Sequence, residues 1–179
     1  MVSLKENWRK YLSSDWMTVA VIQGVFLLTN RYIYGWDDQH LEIPLLKHLI
    51  DPGLYRGDYY VESLKQNFTS FLYPLLARFL KVEMIPAAYL GLFLLSRYVF
   101  FFWTYRLWKY LSGGSRAAAF FCTLSIFMIG RTEEFIYRTF SHQEFSFMFV
   151  FAGLDLIYSG RYLAYFRATA ITELTAIAS

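Results

Sequence analysis

Residues 86–105 read Pro-Ala-Ala-Tyr-Leu-Gly-Leu-Phe-Leu-Leu-Ser-Arg-Tyr-Val-Phe-Phe-Phe-Trp-Thr-Tyr, with Arg97 as the one charge in the run. As a helix, about twenty such residues at about 1.5 Å each reach roughly 30 Å, the thickness of a bilayer's hydrocarbon core. That run limits the chain to folds that can hide or immerse an apolar rod. The composition points the same way. Of 179 residues, 56% are apolar and 21% aromatic, including 18 Phe and 15 Tyr, and the mean hydropathy is +0.31. An ordinary soluble domain is less apolar and far less aromatic, and Phe and Tyr in such number suit lipid-facing surfaces and interfacial belts.

Three further apolar stretches accompany the first, so the expected spans are 16–34, 86–105, 117–130 and 143–158. The last two are short for a bilayer and fit if they lie against other helices or if their polar ends dip below the interface. Arg97, near the middle of its span, is expected to face protein or water, because a cation among acyl chains is costly. Residues 1–15 are polar and no small-residue cleavage site follows the first run, which reads as a retained anchor.

Basic residues fix the expected orientation. Lys5, Arg9 and Lys10 precede the first span, Arg106, Lys109 and Arg116 lie between the second and third, and Arg161 and Arg167 follow the fourth. With four spans these segments share one side, which the positive-inside rule makes cytoplasmic. The outer loops, 35–85 and 131–142, then hold Asp37, Asp38, Glu42, Asp51, Asp58, Glu62, Glu83, Glu133, Glu134 and Glu144. The expected fold is an all-α membrane protein in the plasma (inner) membrane, with a cytoplasmic N-terminus at 1–15 and a polytopic domain at 16–166. The small, Ala/Thr-rich segment 167–179 lacks the earlier aromatics and suggests a chain that continues in a longer protein.

The long outer loop has signals of its own. A mixed apolar and polar helix is expected over 39–50, stopped by Asp51-Pro52-Gly53. Ser63-Leu64-Lys65-Gln66 has capping-box spacing. Leu64, Phe68, Phe71, Leu72, Leu75, Leu76, Phe79 and Leu80 follow at offsets of one helix face. The expectation is one amphipathic helix on the membrane surface, bent at Pro74. A helix packed into a small soluble subdomain is the other reading. Ser141-His142-Gln143-Glu144 has the same capping spacing before the fourth span, and Ser112-Gly113-Gly114-Ser115 reads as a turn with Ser115 as the next N-cap.

Several chemistries are excluded or weak. The net charge is +3, with scattered basic residues and no run dense enough for nucleic acid. Cys122, the single cysteine, allows no internal disulfide and no cysteine metal site. Asp38, His40 and Glu42 offer ligands of mixed type, but alternating positions do not converge on a helix, so Asp38 and His40 remain weak candidate metal ligands. Asn67-Phe68-Thr69 is a glycosylation sequon that matters only in a glycosylating compartment.

A first span, an acidic pair at its outer end and a long loop with interfacial helices resemble the N-terminal module of GT-C glycosyltransferases, polytopic enzymes that use polyprenyl-phosphate-linked sugars. The chain is also similar to uncharacterised bacterial polytopic membrane proteins thought to share that fold. The motifs that carry this second likeness are the stretch Leu49-Ile50-Asp51-Pro52-Gly53-Leu54-Tyr55-Arg56-Gly57-Asp58 and the triplet Arg138-Thr139-Phe140. The resemblance implies a transfer in which Asp37 or Asp38 takes the proton of an acceptor hydroxyl or holds a metal. Glu133 or Glu134 would supply a second acid, and Arg131 and Arg138 would hold phosphate, with a divalent cation such as magnesium as the implied cofactor. The implied partners are membrane lipid, a polyprenyl-phosphate sugar, and the rest of a longer chain or a membrane partner.

Each candidate also has a plain structural reading. Asp37 and Asp38 are otherwise solvated acids favouring the next helix's N-terminus, and Arg131, Glu134 and Arg138 a surface ladder at helical spacing. Two other functions compete: part of a transporter, with Arg97 and Asp155 on the pathway, and a non-catalytic membrane module docking through its loop.

Overall fold

A computed structural model describes residues 4–67, 70–129 and 138–158. Within them the fold is entirely helical: α1 (Leu4–Thr29), α2 (Gln39–Ile50), α3 (Tyr59–Asn67), α4 (Leu72–Ala77), α5 (Ile85–Leu111), α6 (Arg116–Ile129) and α7 (His142–Tyr158), with a 3-10 turn at Val82–Met84 before α5.

α5 is the axis. Its buried side chains, among them Tyr89, Phe93, Ser96, Arg97, Phe100, Phe101, Thr104 and Tyr105, fall on more than one face, as they must in a helix that α1, α6 and α7 all pack against. Pro86 sits in its first turn, where the missing N–H costs no helical hydrogen bond. α1 runs antiparallel to α5. Trp16 stacks on Phe102 at 4.1 Å and on Tyr98 at 5.4 Å, Gln23 Nε2 donates to the Leu94 carbonyl at 3.0 Å, and Phe26 meets Phe101 edge-on. α7 runs parallel to α5, with Phe151 against Phe100 at 4.7 Å and Asp155 against Arg106 at 3.2 Å. Arg97 is 3% exposed, its guanidinium over the rings of Phe26 and Phe93 at 5.6 and 5.5 Å. It faces protein, as its position required.

The segment Val82–Leu111 is long and apolar enough to cross a membrane. The apolar parts of the other three long helices, Asp15–Thr29, Arg116–Ile126 and Phe145–Tyr158, are shorter than a crossing helix. α6 and α7 begin within one residue of the expected starts, whereas α1 stops at Thr29 rather than continuing to residue 34. Thr29 Oγ1 turns back to the Val25 carbonyl at 3.0 Å and Asn30 Nδ2 to that of Phe26 at 3.4 Å. Gly35 and Asp37 then take positive φ, 77° and 49°, which an α-helix does not accommodate. The α5–α6 turn follows expectation. Gly113 and Gly114 have φ of 65° and 94°, and Ser115 Oγ accepts the Ala118 N–H at 3.3 Å as N-cap.

The loop between α1 and α5 is a packed unit. α2 spans the expected 39–50 and ends at an Asx turn, in which Asp51 Oδ1 accepts the Gly53 N–H at 2.9 Å. The single amphipathic helix over 64–80 does not form. Asp58, not Ser63, starts α3, accepting the N–H groups of Tyr60 and Val61 at 2.9 and 3.2 Å. α3 ends at Asn67, Phe68 and Thr69 lie outside the described residues, and α4 begins at Leu72. Pro74 lies in the first turn of α4, so it helps to start a helix instead of bending one. Both short helices pack on α2. Val61 and Tyr73 are buried, and Leu64, Leu72, Leu76 and Leu80 are half-buried against the core, while Phe71, Leu75 and Phe79 face outward. The expected single apolar face is thus divided, and the subdomain reading describes this loop better than a helix lying free on a surface.

Candidate functional site

Where α1 ends, residues 33–42 are fastened to residues 138–142. The Ile33 N–H donates to the Arg138 carbonyl at 2.9 Å. Gln39, fully buried at the start of α2, accepts the Gly35 N–H at 2.8 Å through Oε1 and donates through Nε2 to the Phe140 carbonyl at 2.9 Å. Glu42, one turn further and also fully buried, holds His142: Oε1 lies 2.9 Å from Nδ1 and 3.5 Å from the backbone N–H of the same residue. The two outer loops expected from the sequence therefore meet at one corner.

Asp37 and Asp38 lie on the rim. Asp37 is exposed with φ 49°, a left-handed conformation that aspartate tolerates better than most residues. Asp38 is half-exposed. Its carbonyl accepts the N–H groups of Leu41 and Glu42 at 2.9 and 3.0 Å, while its side chain makes no capping bond. Among the described residues neither carboxylate forms a hydrogen bond or ion pair. Asp38 and Glu42 are four apart on α2 and so share a face, one at the rim and one beneath it.

Glu42 is the electrostatic centre of the corner. Its carboxylate meets the first residue of α7, where unpaired N–H groups and the helix dipole favour negative charge. Tyr73 and Tyr89 are its neighbours. Burial, and after it the charge of Glu42, keeps the Tyr73 phenol well above its ordinary value of 10.0, so Tyr73 stays neutral. The Tyr73 ring lies 6.3 Å from the His142 ring, and that of Tyr89 5.7 Å from Phe140. Among the described residues, Tyr89 Oη, Thr139 Oγ1 and Ser141 Oγ are buried without a hydrogen-bond partner, while the Glu42 carboxylate has the Tyr73 hydroxyl beside it. Ser141, expected as the α7 cap, is thus in place with its hydroxyl not capping, and Glu42 meets the helix end in its stead.

Other candidates fall elsewhere. Arg138 is exposed, and its backbone is bonded to the corner through Ile33. Arg131, Glu133 and Glu134 lie outside the described residues, and with them the expected ladder. His40 is exposed, and among the described residues no three His, Cys, Asp or Glu side chains gather as metal ligands. Asp38 and His40 are therefore not joined by a third such ligand that would hold magnesium or another divalent ion. In the stretch running from Leu49 to Asp58 both aspartates have structural work, Asp51 closing α2 and Asp58 opening α3. His48 ties the connection together, with Nδ1 2.9 Å from the Leu54 carbonyl and Nε2 3.5 Å from Glu62. At the opposite end of the bundle Asp155 pairs with Arg106, and Asp15 with Lys109 at 2.8 Å.

The pairing of Glu42 with His142, and the part played by Gln39, are absent from the sequence reading. A signal for half of it exists. Buried positions on α2 are 39, 42, 43, 45, 46 and 48, and of these 39, 42, 43 and 46 share one helix face, so Gln39 and Glu42 are polar residues in a stripe with Ile43 and Leu46. Nothing local indicates their partners, which lie 101 and 100 residues away. Comparison with protein-family profiles, curated protein sequences and solved structures gives no match to this chain.

Proposed function

We propose that this chain is a membrane-embedded helical module with the layout of the N-terminal part of a GT-C glycosyltransferase, and that its reacting end is the corner where α1, α2 and α7 meet. In this reading α1, α5, α6 and α7 each cross the bilayer, the N-terminus is cytoplasmic, and the α2–α4 unit lies on the far side. The substrate is a polyprenyl-phosphate-linked sugar. Asp37 or Asp38 takes the proton from the acceptor hydroxyl as it attacks the anomeric carbon, and Arg138 offers a cation for the departing lipid phosphate.

One observation supports this assignment above others. The neighbouring acids are engaged, Glu42 with His142, Asp51 in a turn, Asp58 in a cap and Glu62 with His48, whereas Asp37 and Asp38 keep open carboxylates at the rim. The shortness of α7 is compatible with crossing. His142 and Asp155 are 13 steps apart along α7 (155 − 142), about 20 Å of helix, so both polar layers lie within a bilayer's apolar thickness. Glu42 and Asp155 are each buried in protein there, 0% and 4% exposed.

The test is transfer of labelled sugar from a panel of polyprenyl-phosphate hexoses by vesicles carrying the protein. The expected result is transfer that falls by about 10²-fold or more in Asp37→Asn or Asp38→Asn, with membrane insertion unchanged. Transfer that survives both substitutions at the original rate would remove the pair from the machinery. Absence of transfer across the panel, with Arg97→Met changing solute uptake, would favour the transporter reading instead.

A further inference from the structure

The short helix α4 is covered on one side only. Tyr73 is fully buried, and Leu72, Leu76 and Leu80 pack half-buried against the core. Phe71, Pro74, Leu75 and Arg78, spaced three and four residues apart, are exposed along one face. Phe79 is 75% exposed, and Lys81 and Met84 are exposed beyond it. Tight turns keep these groups together. The Arg78 N–H donates to the Leu75 carbonyl at 3.2 Å, that of Phe79 to Leu76 at 3.0 Å and that of Met84 to Lys81 at 2.9 Å. Exposed apolar side chains grouped in this way and rimmed by charge mark an interaction surface.

Two features of the chain say what covers it. The first is continuity. The segment long and apolar enough to cross a membrane starts at Val82, directly after Lys81. With α5 across a bilayer, its first turn stands at the lipid–water boundary, and Phe79 is within about 11 Å of chain from Val82. Pro86, Ala87 and Leu90 continue the exposed apolar surface down α5. The second feature is charge. Residues 35–67 carry Asp37, Asp38, Glu42, Asp51, Asp58 and Glu62, whereas between residues 70 and 90 Arg78 and Lys81 are offset by Glu83 alone.

We propose that the outward face of α4 docks on an anionic bilayer surface, with Phe71, Leu75 and Phe79 at the upper acyl chains and Arg78 and Lys81 on lipid phosphates. A free phosphate would leave the three apolar side chains in water, so the partner is a lipid surface. Docking sets the height of α2, which packs on α4, and with it that of Asp38 where α2 begins. The inference rests on the membrane placement proposed above and not on sugar transfer.

The test places spin labels on the whole protein in vesicles, in a Cys122→Ser background. Phe79→Cys carries the label on α4, Leu95→Cys, 56% exposed, near the middle of α5, and Arg56→Cys in the exposed polar turn between α2 and α3. Power saturation compares access of oxygen, which enters lipid, with that of a nickel chelate, which stays in water. In vesicles of phosphatidylglycerol and phosphatidylcholine, the labels at 79 and 95 are expected to favour oxygen and the label at 56 the chelate. In phosphatidylcholine alone, or with Arg78→Gln and Lys81→Gln combined, the label at 79 is expected to rise toward water and gain access to the chelate. Equal access to the chelate at 79 and 56, with 95 in lipid, would overturn the docking and leave the membrane placement standing. Access to the chelate at all three positions would overturn both. A depth at 79 that ignores lipid charge and the paired substitutions would overturn the anionic partner.

Discussion

At the scale of single residues, Glu42 carries the greatest consequence. Its carboxylate is fully buried while its partner His142 is 33% exposed, so its loss removes a hydrogen bond and a packed side chain, a cost of about 1–3 kcal/mol. Glu42→Ala is accordingly expected to lower the unfolding midpoint far more than Asp37→Ala, whose side chain is exposed and unpaired among the described residues. Denaturant unfolding in micelles measures both. Tyr73 gives a pH dependence of definite sign. Its phenol is held above 10.0 in the fold, so above pH 10 the unfolded chain releases that proton first and stability falls as pH rises. Below pH 10 both states keep the proton and the contribution is fully present. Tyr73→Phe removes that proton release, and its stability is expected to fall less steeply above pH 10 in the same assay. Glu42 shows what a sequence conceals at this scale. A carboxylate in an apolar stripe signals a buried partner, but a partner 100 residues away leaves no local trace.

At the scale of elements, caps and turns decide where this chain is helical. The α2 stop, the α5–α6 turn and the starts of α6 and α7 were legible because Asp-Pro-Gly, Gly-Gly and apolar runs act locally. The α3–α4 region was not, because the capping-box spacing at Ser63 gives no sign that Asp58 starts the helix earlier. Asp58 prevails, with two N–H groups on one carboxylate oxygen. Asp58→Ala is expected to destabilise the α2–α4 unit by about 1 kcal/mol and Asp58→Asn by less. Ser63→Ala is expected to have little effect, since Ser63 is interior to α3. Thermal melts of the three variants provide the comparison. Amide hydrogen exchange should show the loss confined to α3 and its contacts on α2.

At the scale of the whole molecule, an apolar bundle is closed by charged pairs at one end and by a buried polar knot at the other. Lys109 with Asp15 and Arg106 with Asp155 join α5 to α1 and α7. Glu42 with His142 and Gln39 with Phe140 join the outer loops. Arg97 lies between, packed on two rings, and Arg97→Met, which keeps much of its volume, is expected to be tolerated better than Arg97→Ala. The all-helical bundle was legible from apolar runs and the alternation of charge. The meeting of the loops was not, because it rests on side-chain contacts between residues 100 and 101 positions apart.

With this bundle in a membrane as proposed, the Asp37–Asp38 corner and the α5–α6 turn lie on opposite sides. Replacing Cys122, the single native cysteine, by serine allows one reporter at a time. Trp36→Cys and Ser115→Cys place it at exposed positions of the two ends. An impermeant maleimide applied to intact cells is expected to label the first and to reach the second only after the membrane is opened. Equal labelling of both in intact cells, or release of the protein from membranes by alkaline carbonate, would contradict the account.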